Sequence, residues 1–528
     1  MLTNLSPLTA LQRENWRELS VSLKKINKSP SSYNQILRAS AIVGGAQAID
    51  LIIRMIRTKF VALLLGPSGV GLLGLYQSII EWIGTVSGLG LRSSAVRRIA
   101  DSHGKGNVNY LARTVKVLRR ICWISGLCGW LLTAILARPI CLWILGSSER
   151  VWAVSILGIT LLVESISAGQ TALLQGVRRI GDMARVMILS SIGGAIISVG
   201  LYAWLGEQGI VPAIVTSAIV NLAFSWWFSN RVTASLVEVG WQDTIREARH
   251  LIYLGLAFMW AGVLTAGVTF ATRGLIIRGF GIDASGIYQA AWGISGLFAG
   301  FVLTAMGQDF YPRLTAAAND NTILNQLVNE QTEIGMLIAL PGLLTTLAFS
   351  PLVIQIFYTT KFISAAEMLP WFIVGVFLRV IAWPLGFIQL AKGASMIFAI
   401  SETVFNSLHL LFIWVGLRYL GLVGVAIAFM VVYICYCSIA LFFAIRLSGF
   451  RWTIPVVRLI GFSTLFIIAE LCIMKIFASI YSVITSALLI LFSGTFCLRQ
   501  LIYRIGPNHR ISIAITNIPW IGHYFQVK

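Results

Sequence analysis

The chain has 528 residues, of which 57% are hydrophobic and only 11% charged, with a formal net charge of +20. Soluble domains carry roughly 25% charge, so this composition and a mean hydropathy of +0.83 exclude a water-soluble fold, a disordered chain, collagen and a small disulfide scaffold. An all-α polytopic membrane protein remains.

The chain opens on a polar tail, 1–34, without the apolar core of a cleavable signal peptide. Leu8, Leu11, Trp16, Leu19, Leu23 and Ile26, set among basic residues, predict an interfacial helix there. Apolar runs of about 20 residues then mark fourteen membrane spans. The first six lie at 35–64, 69–95, 115–137, 149–173, 184–205 and 209–229. The next six lie at 250–275, 286–307, 333–357, 368–391, 395–419 and 422–446, and the last two at 455–476 and 480–502. The seven cysteines form no CxxC pair and have no histidine neighbours, so they read as small hydrophobes. His409, inside an apolar run, reads as a buried packing residue.

An even number of spans puts both tails on one side. With that side cytoplasmic, 29 of the 40 Lys and Arg fall in inside segments and five in outside loops (Arg138, Arg150, Lys361, Arg418, Lys475). The split follows the positive-inside rule and predicts a multi-pass protein of the cytoplasmic membrane with both termini inside. The +20 is therefore a matter of topology and of contact with membrane lipids rather than a nucleic-acid footprint.

The chain repeats itself. Gly74-Leu75-Tyr76-Gln77 recurs as Gly286-Ile287-Tyr288-Gln289, Arg98-Ile99-Ala100 as Arg313-Leu314-Thr315, and Gln175 with Arg178 as Gln389 with Lys392, at offsets of 212, 215 and 214. This predicts two six-helix bundles, 35–230 and 250–447, joined by a cytoplasmic linker at 231–249. Two extra helices in 448–502 and a tail at 503–528 complete the chain. Six spans per half preserve orientation, so a pseudo-twofold along the membrane normal should relate the bundles, with a central cavity between them.

Charges inside spans mark the candidate site. Asp50, Arg54 and Arg57 share one face of the first span, with Lys59 close behind. Arg57 lies roughly 13 Å below the outer end at Gly66. Arg273 and Arg278 occupy the equivalent helix of the second half, and Arg379 stands five residues before Pro384 in the tenth span. A charge at mid-membrane costs a few kcal/mol, so Arg54, Arg57, Lys59, Arg273 and Arg379 form a candidate cationic surface for an anion. Packing of Asp50 on Arg54 and snorkelling of the outer cations is the alternative. Asp50, Glu81 and Glu164 are candidates for proton or sodium coupling, or counter-ions to the arginines. Gln77, Glu81 and Thr85 make a polar stripe on the second span.

Gly69-Val70-Gly71-Leu72-Leu73-Gly74 fits GxGxxG, but no strand precedes it and no acid follows about twenty residues on, so it reads as a turn and close helix packing. No nucleotide-hydrolysis, metalloprotease or esterase motif is present. The reading is of a transporter and not an enzyme, with no cofactor beyond a coupling proton or sodium.

Leu64-Leu65-Gly66-Pro67-Ser68-Gly69-Val70-Gly71 with Tyr76-Gln77 resembles the first two helices of the polysaccharide-transporter (Wzx-type) flippases. Phe310-Tyr311-Pro312-Arg313-Leu314 followed by Leu327-Val328-Asn329-Glu330 is similar to their loop after helix eight. Gln175-Gly176 through Arg178-Arg179-Ile180-Gly181-Asp182 is similar to their loop after helix four. The resemblance, over about residues 35–450, implies the MATE-like (MOP) exporter superfamily, two bundles and alternating access. It also implies an undecaprenyl-pyrophosphate-linked oligosaccharide as substrate, moved across a bacterial inner membrane for O-antigen, capsule or exopolysaccharide assembly. Other membrane proteins of polysaccharide assembly are then candidate partners. The cavity cations implied on helices one, seven and ten map to Arg54, Arg57, Arg273 and Arg379. A MATE-type multidrug exporter is the rival reading and should show an acidic, aromatic cavity. A membrane glycan polymerase or ligase would need larger outer loops than the roughly ten residues near 138–148 and 276–285. A scaffold without transport activity would have no use for intramembrane arginines.

Overall fold

The structure is a computed structural model describing residues 30–88, 90, 95–96, 98–99, 108–232, 239–476 and 479–505. The expected interfacial helix in 1–34, most of the 92–107 loop and the tail beyond 505 lie outside the described residues. Among those described, every regular element is a helix. The α-helices are α1 Pro30–Gly88, α2 Val108–Leu145, α3 Val151–Gly176, α4 Ile180–Leu205, α5 Ile210–Ser229, α6 Trp241–Phe280 and α7 Ile282–Ala316. They continue as α8 Asn321–Ala348, α9 Ser350–Phe357, α10 Leu369–Ala391, α11 Ser395–Leu420, α12 Val423–Ser448, α13 Ile454–Ile476 and α14 Ser479–Ile505. Short 3-10 segments, Gly206–Gly209 and Thr360–Glu367, join α4 to α5 and α9 to α10.

By length and hydropathy, ten stretches among the described residues can cross a membrane, against fourteen expected. The fifth and sixth expected spans run together as one apolar stretch, Ile180–Ser229. The first two are limbs of α1, whose hydropathy is lowered by Asp50, Arg54, Arg57, Lys59 and Glu81. The eighth lies in α7, several of whose side chains are outside the described residues.

Gly66 divides α1 into two limbs. Its backbone stands at φ 65, ψ −165, a region open to glycine and strained for residues with a Cβ. Pro67 follows and starts the second limb, where its missing N–H is harmless. The expected ninth span, 333–357, is likewise broken, at Phe349 between α8 and α9, with proline in the first turn of α9. The loops expected at 138–148 and 276–285 are shorter than the sequence suggests. Pro139 sits within α2, which runs on to Leu145, and a single residue, Gly281, separates α6 from α7. Part of the 231–249 linker is helical, since α6 begins at Trp241. Arg120 of α2 fastens that start by donating to Val239 O at 2.9 Å and Thr244 Oγ1 at 3.0 Å, with its guanidinium over the Trp241 ring.

Helices α2, α3 and α4 pack with α1, α5 packs on α3 and α4, and α7, α8, α10, α11 and α12 form a second connected group. The α1 elbow meets α7 backbone to backbone. A Cβ at Gly71 would lie 2.2 Å from Ile282 O, and one at Gly286 only 2.0 Å from Pro67 O. This is the close helix packing expected of the glycine-rich stretch. Helices α13 and α14 lean on α8, where Arg504 bonds Glu333 at 2.9 Å and Ser486 of α14 donates to the buried Glu470 at 2.6 Å.

Candidate functional site

Both limbs of α1 face one cavity of about 830 Å³, completed by α2, α3, α4 and α5. Helical spacing on the first limb brings Asp50, Arg54 and Arg57 to the opening, and on the second limb Gln77, Glu81 and Thr85. Asp50 is the fixed member of its pair. It accepts from Arg54 Nε at 2.8 Å and from Ser191 Oγ of α4 at 2.6 Å. Its side chain is 16% exposed while that of Arg54 is 66% exposed. The acid is therefore held by α1 and α4, and the guanidinium reaches into open space with donors to spare. Arg57 lines the same cavity beside Tyr202 of α4.

Glu164 projects into the cavity from α3. Beside it Ser165 donates to Cys122 O at 2.8 Å and pairs with Ser125 of α2 at 2.8 Å. Ser198 and Ser217, 3.1 Å apart, line the side where α4 meets α5. Sequence reading missed this hydroxyl lining. The seven-residue spacing of Ser191 and Ser198, and the four-residue spacing of Ser217 and Asn221, carried the signal. Among the described residues no group of three or more His, Cys, Asp or Glu is placed to hold a metal ion.

Three of the sequence-predicted cations lie elsewhere. Lys59 turns away from the cavity and donates to Gln355 O at 2.6 Å and to Tyr358 O, capping the end of α9. Arg273, 5% exposed, donates to Gln289 Oε1 of α7 at 2.5 Å, with its guanidinium 5.9 Å from the Tyr288 ring. Gly74 lies against this pair: a Cβ there would stand 3.1 Å from Gln289 Oε1 and 3.3 Å from Arg273 Nε, closer than ordinary contact. Arg379 of α10 is half-buried near Tyr433 and does not line the cavity. Asp50, Arg54, Arg57, Glu81 and Glu164 are thus brought together, and Lys59, Arg273 and Arg379 are not.

A bundle of apolar helices around a charged, hydroxyl-lined interior defines a multi-pass membrane protein of the transporter type. Residues 60–367 match the family described as "Polysaccharide biosynthesis protein", and the chain belongs to that family. Among characterised proteins it is 22% identical to the lipid III flippase of Escherichia coli (strain K12) over 389 residues, covering 72% of this chain and 91% of that protein. It is also 22% identical to the probable flippase AglR of Haloferax volcanii over 320 residues, 58% of this chain and 62% of the relative. Among solved structures, an inward-facing MATE-family transporter of the MOP superfamily superposes with a TM-score of 0.61 at 17% identity, covering 76% of this chain and 95% of that one. The lipid II flippase MurJ, in an inward closed conformation, gives 0.60 at 16% identity, over 88% and 100%. The all-α polytopic fold is thus shared with these two membrane proteins.

Proposed function

We propose that the chain is a flippase for a lipid-linked glycan, carrying an undecaprenyl-pyrophosphate oligosaccharide from the cytoplasmic to the outer leaflet of a bacterial inner membrane. The glycan would then enter O-antigen, capsule or exopolysaccharide assembly. The observation that carries this reading is the pair Arg54 and Arg57 facing an interior cavity of about 830 Å³. A pyrophosphate brings about two negative charges into a hydrocarbon core, and arginine forks complement its oxygens. No covalent step is required. The cavity must open to each side in turn while the polyprenyl tail stays in lipid. The flippase names of two relatives and the polysaccharide-biosynthesis family support this reading.

The bundles 35–230 and 250–447 are the proposed moving units, with the contact of Gly71 and Gly286 as the surface on which they part. Asp50 is the proposed coupling acid. A proton or sodium ion on its carboxylate would release Arg54, which it now holds at 2.8 Å, to the diphosphate. A multidrug exporter is the second reading, favoured by the acids Glu81 and Glu164 in the cavity.

Reconstitution in proteoliposomes with a fluorescent polyprenyl-pyrophosphate saccharide tests the two. Transport by the wild type, with loss in Arg54→Ala and Arg57→Ala, is expected. Ethidium efflux without lipid movement in a competent preparation would replace the flippase by the drug exporter.

A further inference from the structure

The cavity is divided by charge into two walls. One is the first limb of α1 with α4, joined by the Asp50–Ser191 bond, and it carries Arg54 and Arg57. The other is the second limb of α1 with α2 and α3. There Gly84 sits against Leu161 and Gly129 against Ser87, so that Glu81, Glu164 and Ser165 line the cavity from that side. The two walls differ in how their charges are matched. Asp50 is paired with Arg54 and bonded to Ser191. Neither Glu81 nor Glu164 has a contact ion pair or a side-chain hydrogen bond among the described residues; Glu81 feels the charge of Arg273 from behind, Glu164 faces no cation, and both are open to the cavity. An acid without a hydrogen-bond partner inside a membrane is expensive, and its lone pairs are free to accept from whatever enters. Among the described residues the one aromatic ring lining the cavity is Tyr202, on the arginine wall, so the acidic wall offers a sugar no ring to stack on and recognises it through hydrogen bonds.

We infer that the wall bearing Glu81 and Glu164 is the sugar subsite, and that it selects glycans whose first residues are neutral or amino sugars over those bearing a carboxylate there. The inference rests on the flippase reading above. With the diphosphate on the arginine wall, the sugars attached to it cross to the opposite side. Each carboxylate then accepts from hydroxyl, amide or ammonium donors of the glycan. A uronic acid in the same place sets like charges together in a confined, poorly solvated space, which discriminates by repulsion as well as by lost bonds.

Two polyprenyl-pyrophosphate disaccharides, identical except that one carries an N-acetyl amino sugar and the other a uronic acid at the second position, are followed in proteoliposomes and in detergent binding assays. Wild type is expected to move and bind the amino-sugar probe at least about tenfold better, a discrimination typical of one misplaced charge. In Glu81→Gln/Glu164→Gln the ratio should fall to within about twofold, by a gain for the uronic probe, since glutamine keeps a carbonyl acceptor and loses the charge. Equal handling of both probes by wild type, or a tenfold ratio that survives in the double variant, overturns the inference. So does an equal fall in flipping for both probes with binding unchanged, which would assign the acids to ion coupling. If wild type flips neither probe, the flippase reading itself fails, and binding of neither probe takes the sugar subsite with it.

Discussion

The contact between the α1 elbow and α7 can be broken by one methyl group. In Gly286→Ala the added Cβ would stand 2.0 Å from Pro67 O and 2.8 Å from Pro67 C, with the reciprocal contact of Gly71 on Ile282 O one turn away. Carbon and carbonyl oxygen settle no closer than about 3.3 Å, so the two backbones must separate by about 1 Å. Both neighbours are main chain, with no rotamer to yield, which places the substitution near the upper end of the roughly 1–3 kcal/mol that overpacking costs. Replacing a mid-helix glycine by alanine returns about 0.5–1 kcal/mol in backbone entropy, which leaves a net loss of about 2 kcal/mol. Gly296, almost three turns further along α7, has nothing within 4 Å of its Cβ position among the described residues, so Gly296→Ala should gain that same roughly 0.5–1 kcal/mol. Thermal denaturation in detergent, read from the monodisperse fraction, should therefore move the two variants in opposite directions by several degrees in total. Equal shifts would refute the reasoning, because α1 and α7 would then not be held at the distance on which it depends.

Three other substitutions probe the elements around the cavity. Lys59→Met removes the only side-chain donor to Gln355 O and Tyr358 O among the described residues; hydrogen exchange of residues 354–362 should accelerate, and unchanged exchange would mean the lysine does not hold α9. Asn329→Ala deletes bonds to Asn325 O, Arg451 O and Thr453 N. At about 1 kcal/mol each it should lower stability by about 2–3 kcal/mol in the same denaturation assay. Asp50→Asn keeps an acceptor for Ser191 but removes the partner of Arg54. Flipping should lose its dependence on an imposed proton or sodium gradient while tracer binding persists, and a fully retained gradient dependence would move the coupling acid elsewhere.

Hydropathy marked the helical stretches because a low-dielectric surround tolerates few charges and no unpaired backbone. Loop lengths were less legible. Pro139 ends a helix in the ordinary reading of a sequence, yet α2 continues six residues beyond it. The site was legible in half. Spacing along one helix correctly put Asp50, Arg54 and Arg57 on a common face, since that depends only on 3.6 residues per turn. Which face of a helix turns to a cavity and which to a neighbouring helix depends on packing, and spacing is silent there. Arg273 turns one guanidinium nitrogen to Gln289, beside Gly74, and Lys59 reaches the carbonyls of another helix end. The serines of α4 and α5 went unnoticed because single hydroxyls in apolar helices bond their own backbone and raise no charge signal.

Apart from Gln77, which lines the cavity, the residues that carry the family resemblance have a different physical task. Asp182 bridges Arg179 at 2.6 Å and Arg185 at 3.0 Å, closing the turn between α3 and α4. Asn329 ties α8 to the connection between α12 and α13, and Phe310 packs on Trp383 and Phe387. Gly71 and Gly286 set the distance between α1 and α7. None of these residues lines the cavity. They are constraints on how helices meet, and any chain with this packing needs them whatever it carries. Arg54, Arg57, Glu81 and Glu164 sit outside those segments, on helix faces where packing imposes nothing, so their identities are free to follow a ligand. On the proposed function the substrate is to be read from the charge on the two walls, where exchanging an acid for its amide is expected to leave the fold intact and to change what the cavity accepts.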